Sequence, residues 1–361
     1  MNALTLVQVA GSAEWAGGER YLELLARHLD RDRFHLEVIA PAAGPLCAAL
    51  QALDVPVHVV NLSRLVDPKA IWKLAHLLRH LSPQLLQSHG ARSNFYARLA
   101  GRLARVPVVL STVHNSLHDY PVSSPRRALY LALDRLTRPL ASRVLCVALA
   151  LAREYGPRAV TIHNGIDLTL FDPVRATPEQ TRQTLGLGPG PVIGFIGRHT
   201  PQKDPLMFLR VVAALCQELP GVQALVVGDG PLRRELEAEA IRLGLERFCR
   251  FTGARHDIPA LLGAMDLFIL SSVSEGFPFA VLEAMAMERP VVTTAVNGVP
   301  ELIEDGVSGR VVPPRDEAAL TRAALDLLRT PEQAQALGRA ARQRVANHFT
   351  VARMMRQTQA L

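Results

Sequence analysis

Ser271-Ser272-Val273-Ser274-Glu275-Gly276-Phe277-Pro278-Phe279-Ala280-Val281-Leu282-Glu283-Ala284-Met285-Ala286 is the stretch on which the fold turns. Just ahead of it, Leu267-Phe268-Ile269-Leu270 is a short apolar run without alternation, the pattern of a strand buried on both faces of a parallel sheet. Pro278 fits the first turn of a helix, where its missing N–H costs nothing. The stretch reads as strand, turn and helix, with Glu275 in the turn and Glu283 inside the helix. Eight residues, about two helical turns, separate the carboxylates. They can therefore address different parts of one elongated ligand at the helix N-terminus. Free N–H groups there meet hydroxyls or an anion, and a carboxylate beside them favours a neutral polyol such as a sugar. The spacing by itself is equally that of an acidic helix cap followed by one exposed glutamate.

The same strand–turn–helix grammar recurs along the chain. Val192-Ile193-Gly194-Phe195-Ile196-Gly197 is a second apolar strand, followed by Arg198-His199-Thr200-Pro201-Gln202-Lys203-Asp204-Pro205. Asp204 makes an N-cap and Pro205 the first helical residue. Arg198 and Lys203 thus emerge at a strand end and a helix start, suited to a diphosphate whose charge grows as it leaves. The chain has only three lysines among its 40 basic residues, so a lysine at 203 marks a compact point charge. In the first half, strand Leu4–Ala10 runs into a glycine loop whose Gly17 and Gly18 allow close backbone approach to a phosphate or an acceptor, or simply a tight turn. Strands at His35–Ala40, Val57–Val60, Leu85–Ser88, Val108–Thr112 and Val144–Val147 alternate with helical patterns, giving a doubly wound parallel sheet. His89 and His114 stand at strand ends, where open α/β sheets bind ligands. Ser116 to Arg127, with two prolines and the Arg126-Arg127 pair, reads as a mobile loop over an acceptor site.

The Glu275-x7-Glu283 spacing, with Asn297-Gly298-Val299-Pro300-Glu301 and Gly306-Val307-Ser308-Gly309 after it, resembles the signature of retaining glycosyltransferases of family four, of bacterial surface-polysaccharide type. The resemblance implies the GT-B fold: an α/β architecture of two Rossmann-like, doubly wound parallel-sheet domains facing a cleft. It implies an acceptor-side domain over residues 1–165, a linker over 166–190, a nucleotide-sugar domain over 191–347 and a helix at 348–361 crossing back to the first domain. By the same resemblance Glu275 contacts hydroxyls of the donor sugar with help from backbone N–H groups at Gly276 and Phe277, Glu283 holds the nucleotide ribose, and His114 lies beside the donor sugar. Arg198 and Lys203 take the donor diphosphate. The family more often has glycine after this lysine, and Asp204 departs from that. The donor implied is a UDP- or GDP-linked sugar, with no other cofactor and no metal. GT-B nucleotide-sugar epimerases would use the same donor without an acceptor, and a non-catalytic nucleotide-sugar-binding protein would use it without turnover.

Composition bounds the rest. At 361 residues the chain is long enough for two domains with full cores. Cys47, Cys146, Cys216 and Cys249 are far apart, without the spacing of a zinc site or a disulfide framework, and fit a reducing compartment. The opening residues lack the pattern of a signal peptide, and no apolar run approaches the roughly 20 residues that span a bilayer. Of the net charge of +7, the part up to Gly165 carries +8 and the remainder −1. Such asymmetry calls for an anionic partner facing the first half, or a solvated basic face. Few aromatics and no recognisable motif speak against nucleic acid. The expected partners are therefore a nucleotide-sugar donor, a glycan or lipid-linked acceptor and an anionic membrane surface, the protein lying peripherally on the cytoplasmic face of the inner membrane.

Overall fold

The computed structural model describes residues 3–14, 17–120 and 122–361. It divides into two compact units, one of residues 1–164 with 354–361, the other of residues 165–353. Each is built on a wholly parallel sheet. The first has strands β1 (Leu4–Val9), β2 (Phe34–Ala40), β3 (Val57–Val59), β4 (Leu85–His89), β5 (Val108–Val113), β6 (Arg143–Cys146) and β7 (Ala159–Thr161), in the order 3-2-1-4-5-6-7. The second has β8 (Val192–Ile196), β9 (Gln223–Val227), β10 (Cys249–Gly253), β11 (Leu267–Leu270), β12 (Val291–Thr294) and β13 (Arg310–Val312), in the order 10-9-8-11-12-13. The central strands are apolar throughout because helices cover both faces: β8 and β11 are buried at every position.

In both sheets the strand order reverses beside the first strand, between β1 and β4 and between β8 and β11. At such a point the two loops leaving the carboxyl ends diverge and leave room for a ligand. The loops that carry the candidate residues are therefore brought together by topology: the one after β8, with Arg198 and Lys203, lies beside the one after β11, with Glu275.

Several local expectations are corrected. Pro278 is the N-cap of the Phe279–Ala286 helix, in extended conformation, rather than a residue of its first turn. Gly17 and Gly18 are the first two residues of the Gly17–His28 helix, not a loop ahead of it; Trp15 and Ala16 of that loop lie outside the described residues. The Ser116–Arg127 segment is not an open loop. It holds a 3₁₀ turn at Leu117–Asp119 and the start of the Ser124–Thr137 helix, with Arg126 and Arg127 in its first turns and Arg127 Nη2 donating to Val122 O at 3.2 Å; Pro121 lies outside the described residues. Pro125, near the start of that helix, marks a beginning rather than a break. The linker too contains a helix, Pro178–Leu185. The final helix, expected within 348–361, runs over Val351–Gln359 after Pro331–His348.

Two close approaches demand glycine. A Cβ on Gly165 would fall 2.5 Å from Thr350 O, where Ile166 N donates to Phe349 O and Val351 N to Ile166 O. Gly228, at a φ of 128°, passes so near Gly197 O that a Cβ would lie 2.0 Å from it.

Asp204, the departure noted in the sequence, sits at φ 42°, ψ 56°, the left-handed region that glycine enters freely. Its Oδ1 offsets the strain by accepting from Met207 N at 3.2 Å, capping the Pro205–Glu218 helix. Asp204→Ala keeps the strained φ and loses the cap, and should cost about 1–2 kcal/mol in urea denaturation. Asp204→Gly relieves the strain as it loses the cap, and should stay within about 0.5 kcal/mol of the parent. Equal losses in the two variants would contradict this account.

Candidate active site

The second unit supplies a charged cluster. Glu275 is only 6% exposed, and a carboxylate taken out of water needs partners. Lys203 Nζ lies 2.5 Å from its Oε1, and Ser272 Oγ donates to the same oxygen at 2.6 Å. The backbone fixes this meeting. Ser271 Oγ donates to the carbonyls of Lys203 and Asp204 at 3.2 and 2.7 Å, Val273 N donates to Gln202 O at 2.9 Å, and Thr294 Oγ1 donates to Ser272 O. Gly276 O accepts from Gly298 N at 3.1 Å, joining the turn to the Asn297–Glu301 segment of the motif. Phe277 is buried with its ring 5.1 Å from that of Phe349. Glu283 is buried within the helix, so the reading of an exposed second glutamate does not hold. Arg198 is exposed and makes no ion pair among the described residues. The cluster brings Lys203 and Glu275 together and leaves Arg198 as an open cation in the same loop. No group of three or more metal-ligating side chains occurs among the described residues.

Sequence reasoning missed His199. Its ring is fully buried, and neither nitrogen has a hydrogen-bond partner. Its backbone braces two loops, N donating to Asp229 O at 2.8 Å and O accepting from Leu232 N at 3.0 Å. Burial, with Arg233 adding to it, pushes its pKa down to about 4. The only signal in the sequence was a histidine between two residues already assigned to a ligand.

In the first unit, Gly11–Gly18 follows β1, His89 ends β4 and His114 follows β5. His89 Nδ1 and His114 Nε2 are 3.0 Å apart, and Tyr21 packs its ring 5.3 and 5.5 Å from theirs. Burial holds both imidazoles neutral: His114 is lowered to about 4, and His89 lies well below its usual value, with His114 as a second cause. Gly18 is close by, where a Cβ would lie 3.5 Å from His114 Cδ2. Gly17 is exposed and meets none of these groups in a recorded contact. The first unit thus offers neutral imidazole hydrogen bonding, and the second, taken by itself, a carboxylate with two cations.

His199 gives a pH-dependent signature. Its folded pKa of about 4 lies below the ordinary 6.5, so the unfolded chain takes up the proton first as pH falls. Its contribution is intact above pH 6.5 and is lost progressively down to about pH 4. His199→Leu should reduce the loss of stability between those limits and leave the protein at least as stable at pH 7, since two unsatisfied nitrogens are removed. Urea denaturation at several pH values checks this; an unchanged pH slope would refute it.

Comparison with known proteins extends the picture over nearly the whole chain. Residues 190–330 match the family described as glycosyl transferases group 1, and residues 16–165 the glycosyl transferase 4-like domain. A 2-deoxystreptamine glucosyltransferase of Streptomyces kanamyceticus is 30% identical over 312 residues, 81% of this chain and 80% of that protein. The Escherichia coli UDP-Gal:alpha-D-GlcNAc-diphosphoundecaprenol alpha-1,3-galactosyltransferase is 28% identical over 299 residues, covering 79% and 77%. Among solved structures, HepE of Anabaena, crystallised with UDP and glucose, superposes with a TM-score of 0.87 over 99% of this chain and 98% of its own, at 24% identity, a likeness of fold. The two parallel sheets with reversed strand order, and family matches to both halves, make one conclusion: the chain belongs to the group 1, family-four glycosyltransferases, with the GT-B fold.

Proposed function

We propose that the protein is a retaining glycosyltransferase that moves a sugar from a UDP- or GDP-sugar to a lipid-linked glycan in surface-polysaccharide assembly, without a resident metal. The observation that carries this reading is the Lys203–Glu275–Ser272 cluster at the start of the Phe279–Ala286 helix. An arriving diphosphate competes with Glu275 for Lys203. When Lys203 turns to the phosphate, Glu275 is left to accept hydrogen bonds from sugar hydroxyls. Arg198 and Lys203 then stabilise the negative charge that grows on the departing nucleotide, a role that needs no cation of another kind. Gly276 and Phe277 present backbone N–H groups to the sugar, Glu283 holds the ribose, His114 takes a sugar hydroxyl, and Gly17 and Gly18 admit the ligand closely.

The lipid-linked acceptor is supported by the E. coli relative, whose name carries a diphosphoundecaprenol, and by the surface of the first unit. Between Asp67 and Asp119 there is no acidic residue, against seven lysines and arginines, of which Arg98 alone is buried, paired with Asp134. On the Pro68–Leu81 helix Trp72 is 65% exposed and stacks on His76, with Lys69, Lys73 and Arg79 exposed on the same helix. Arg79 Nη2 donates to Leu103 O at 2.9 Å, joining this helix to exposed Arg102, Leu103 and Arg105. An exposed indole among cations suits an anionic headgroup layer, and this face replaces the Arg126-Arg127 segment as the proposed contact. No described helix is long and apolar enough to cross a membrane. We propose, from the basic face and its exposed indole, that the protein works peripherally on the cytoplasmic face of the inner membrane.

Incubation with UDP-, GDP- and ADP-sugars, with and without polyprenyl-diphosphate glycans, should release nucleoside diphosphate in step with product, with the anomeric configuration of the donor kept and with no loss in EDTA. Epimerised donor would support an epimerase, and binding without turnover a sensor. Glu275→Gln should lower turnover about ten- to a hundredfold without unfolding the protein; full activity would overturn its assignment. For the membrane, anionic vesicles should sediment the parent protein at low salt and Trp72→Ala more weakly, with release as salt rises. Equal binding to neutral vesicles, or none to either, would favour a soluble acceptor.

A further inference from the structure

The histidine pair ends a longer buried chain of hydrogen bonds. It begins at Thr112 on β5, whose Oγ1 accepts from Gln87 Nε2 at 2.8 Å. Gln87 Oε1 on β4 accepts from Gln8 Nε2 at 3.0 Å. Gln8 on β1 thus spends its amide N–H on Gln87 and turns its carbonyl to His89 Nε2, 2.7 Å away. His89 Nδ1 faces His114 Nε2 at 3.0 Å. Thr112, Gln87, Gln8 and His89 are each no more than 1% exposed. Three adjacent strands, β1, β4 and β5, supply one continuous line of side chains that water does not reach.

Each link leaves one role to the next. A carbonyl can only accept, so His89 Nε2 carries a hydrogen and donates to Gln8. Burial keeps His89 neutral, so its Nδ1 has a lone pair and must accept. The donor facing it is His114 Nε2–H. A neutral His114 then holds its remaining lone pair on Nδ1, for which no partner is recorded among the described residues, and the residue is only partly buried.

We propose that Gln8 and His89 are positioning residues, which through this relay fix His114 as the Nε2–H tautomer with Nδ1 presented as a hydrogen-bond acceptor for a substrate hydroxyl. This rests on the glycosyl-transfer reading and adds a substrate class to it. An imidazole lone pair attracts a sugar O–H and repels a carboxylate, so the residue meeting His114 is a neutral hexose face and not a uronate. The chemical logic differs from that of a charged histidine, which would favour the acid.

The test has an arm that needs no activity. In protein labelled with ¹⁵N-histidine, and with His114 assigned through His114→Gln, nitrogen chemical shifts report the tautomer directly. His114 should show protonated Nε2 and unprotonated Nδ1 at pH 7. Gln8→Leu removes the acceptor against His89 and should give a mixture of tautomers. Protonated Nδ1 in the parent, or a pattern indifferent to Gln8→Leu in a protein whose circular dichroism shows it folded, would overturn the proposal. In the kinetic arm Gln8→Leu should lower turnover with a neutral donor about tenfold, with little change in the nucleotide's own affinity. An equal loss of nucleotide affinity would mean a structural role for Gln8 and count against the relay. Should the parent transfer no sugar at all, the glycosyl-transfer reading fails while the tautomer result still decides the relay.

Discussion

A carboxylate held almost out of water is the constraint on which the second unit is arranged. Glu275 is buried with a cation and a hydroxyl against the same oxygen, and the cation comes from a loop 72 residues away. Bringing Lys203 to it requires the loop after β8 to lie against the loop after β11. That requirement explains the hydrogen bonds from Ser271 and Val273 into the Gln202–Asp204 backbone, and the left-handed turn at Asp204 from which the Pro205–Glu218 helix departs. The reversal of strand order between β8 and β11 makes the meeting geometrically possible.

The two units use the same topology for opposite electrostatics. On the strands at the switch point of the first sheet the buried polar side chains are neutral: Gln8, Gln87, Ser88, His89 and Thr112, each hydrogen-bonded to its neighbours. At that of the second they include a full charge pair. Neutral amides and imidazoles are far less costly to bury than ions and hold direction well, which suits recognition of hydroxyls. A pair of ions can exchange partners when a more highly charged ligand comes, which suits a diphosphate.

Much of the fold was legible because its signals are local. Apolar runs of strand length, each closed by glycine or a cap and followed by a helix, gave the parallel sheets before any contact was known, as Leu267–Leu270 and Val192–Ile196 illustrate. Arg198, Lys203 and Glu275 could be singled out because they stand where strands end. That Lys203 and Glu275 pair with each other was not legible, since the pairing is set by tertiary register and not by spacing. The helix of Pro178–Leu185 escaped notice because it buries no side chain and so carries no apolar periodicity. The helix start at Ser123–Arg127 has no signature of its own in the sequence, because serine and proline announce a loop as readily as a helix N-terminus. His199 was hidden by its neighbours: nothing in a lone histidine tells whether its ring turns to solvent or into the core.

The return of residues 354–361 to the first unit has a consequence for how the chain folds. Gln359 Oε1 accepts from Asp30 N at 2.9 Å, a contact between residues 329 apart in sequence. The first unit is thus discontinuous, with the whole of the second inserted between its seventh strand and its last helix. During synthesis the seven-stranded sheet can form early, yet the patch that receives Met354 and Met355, both buried in the finished protein, stays bare until the inserted unit has been made. The contact closes a loop that spans nearly the whole chain, and it can form only after the inserted unit has been made. A nascent chain arrested before residue 354 would carry an unsealed apolar surface, an inviting target for chaperones.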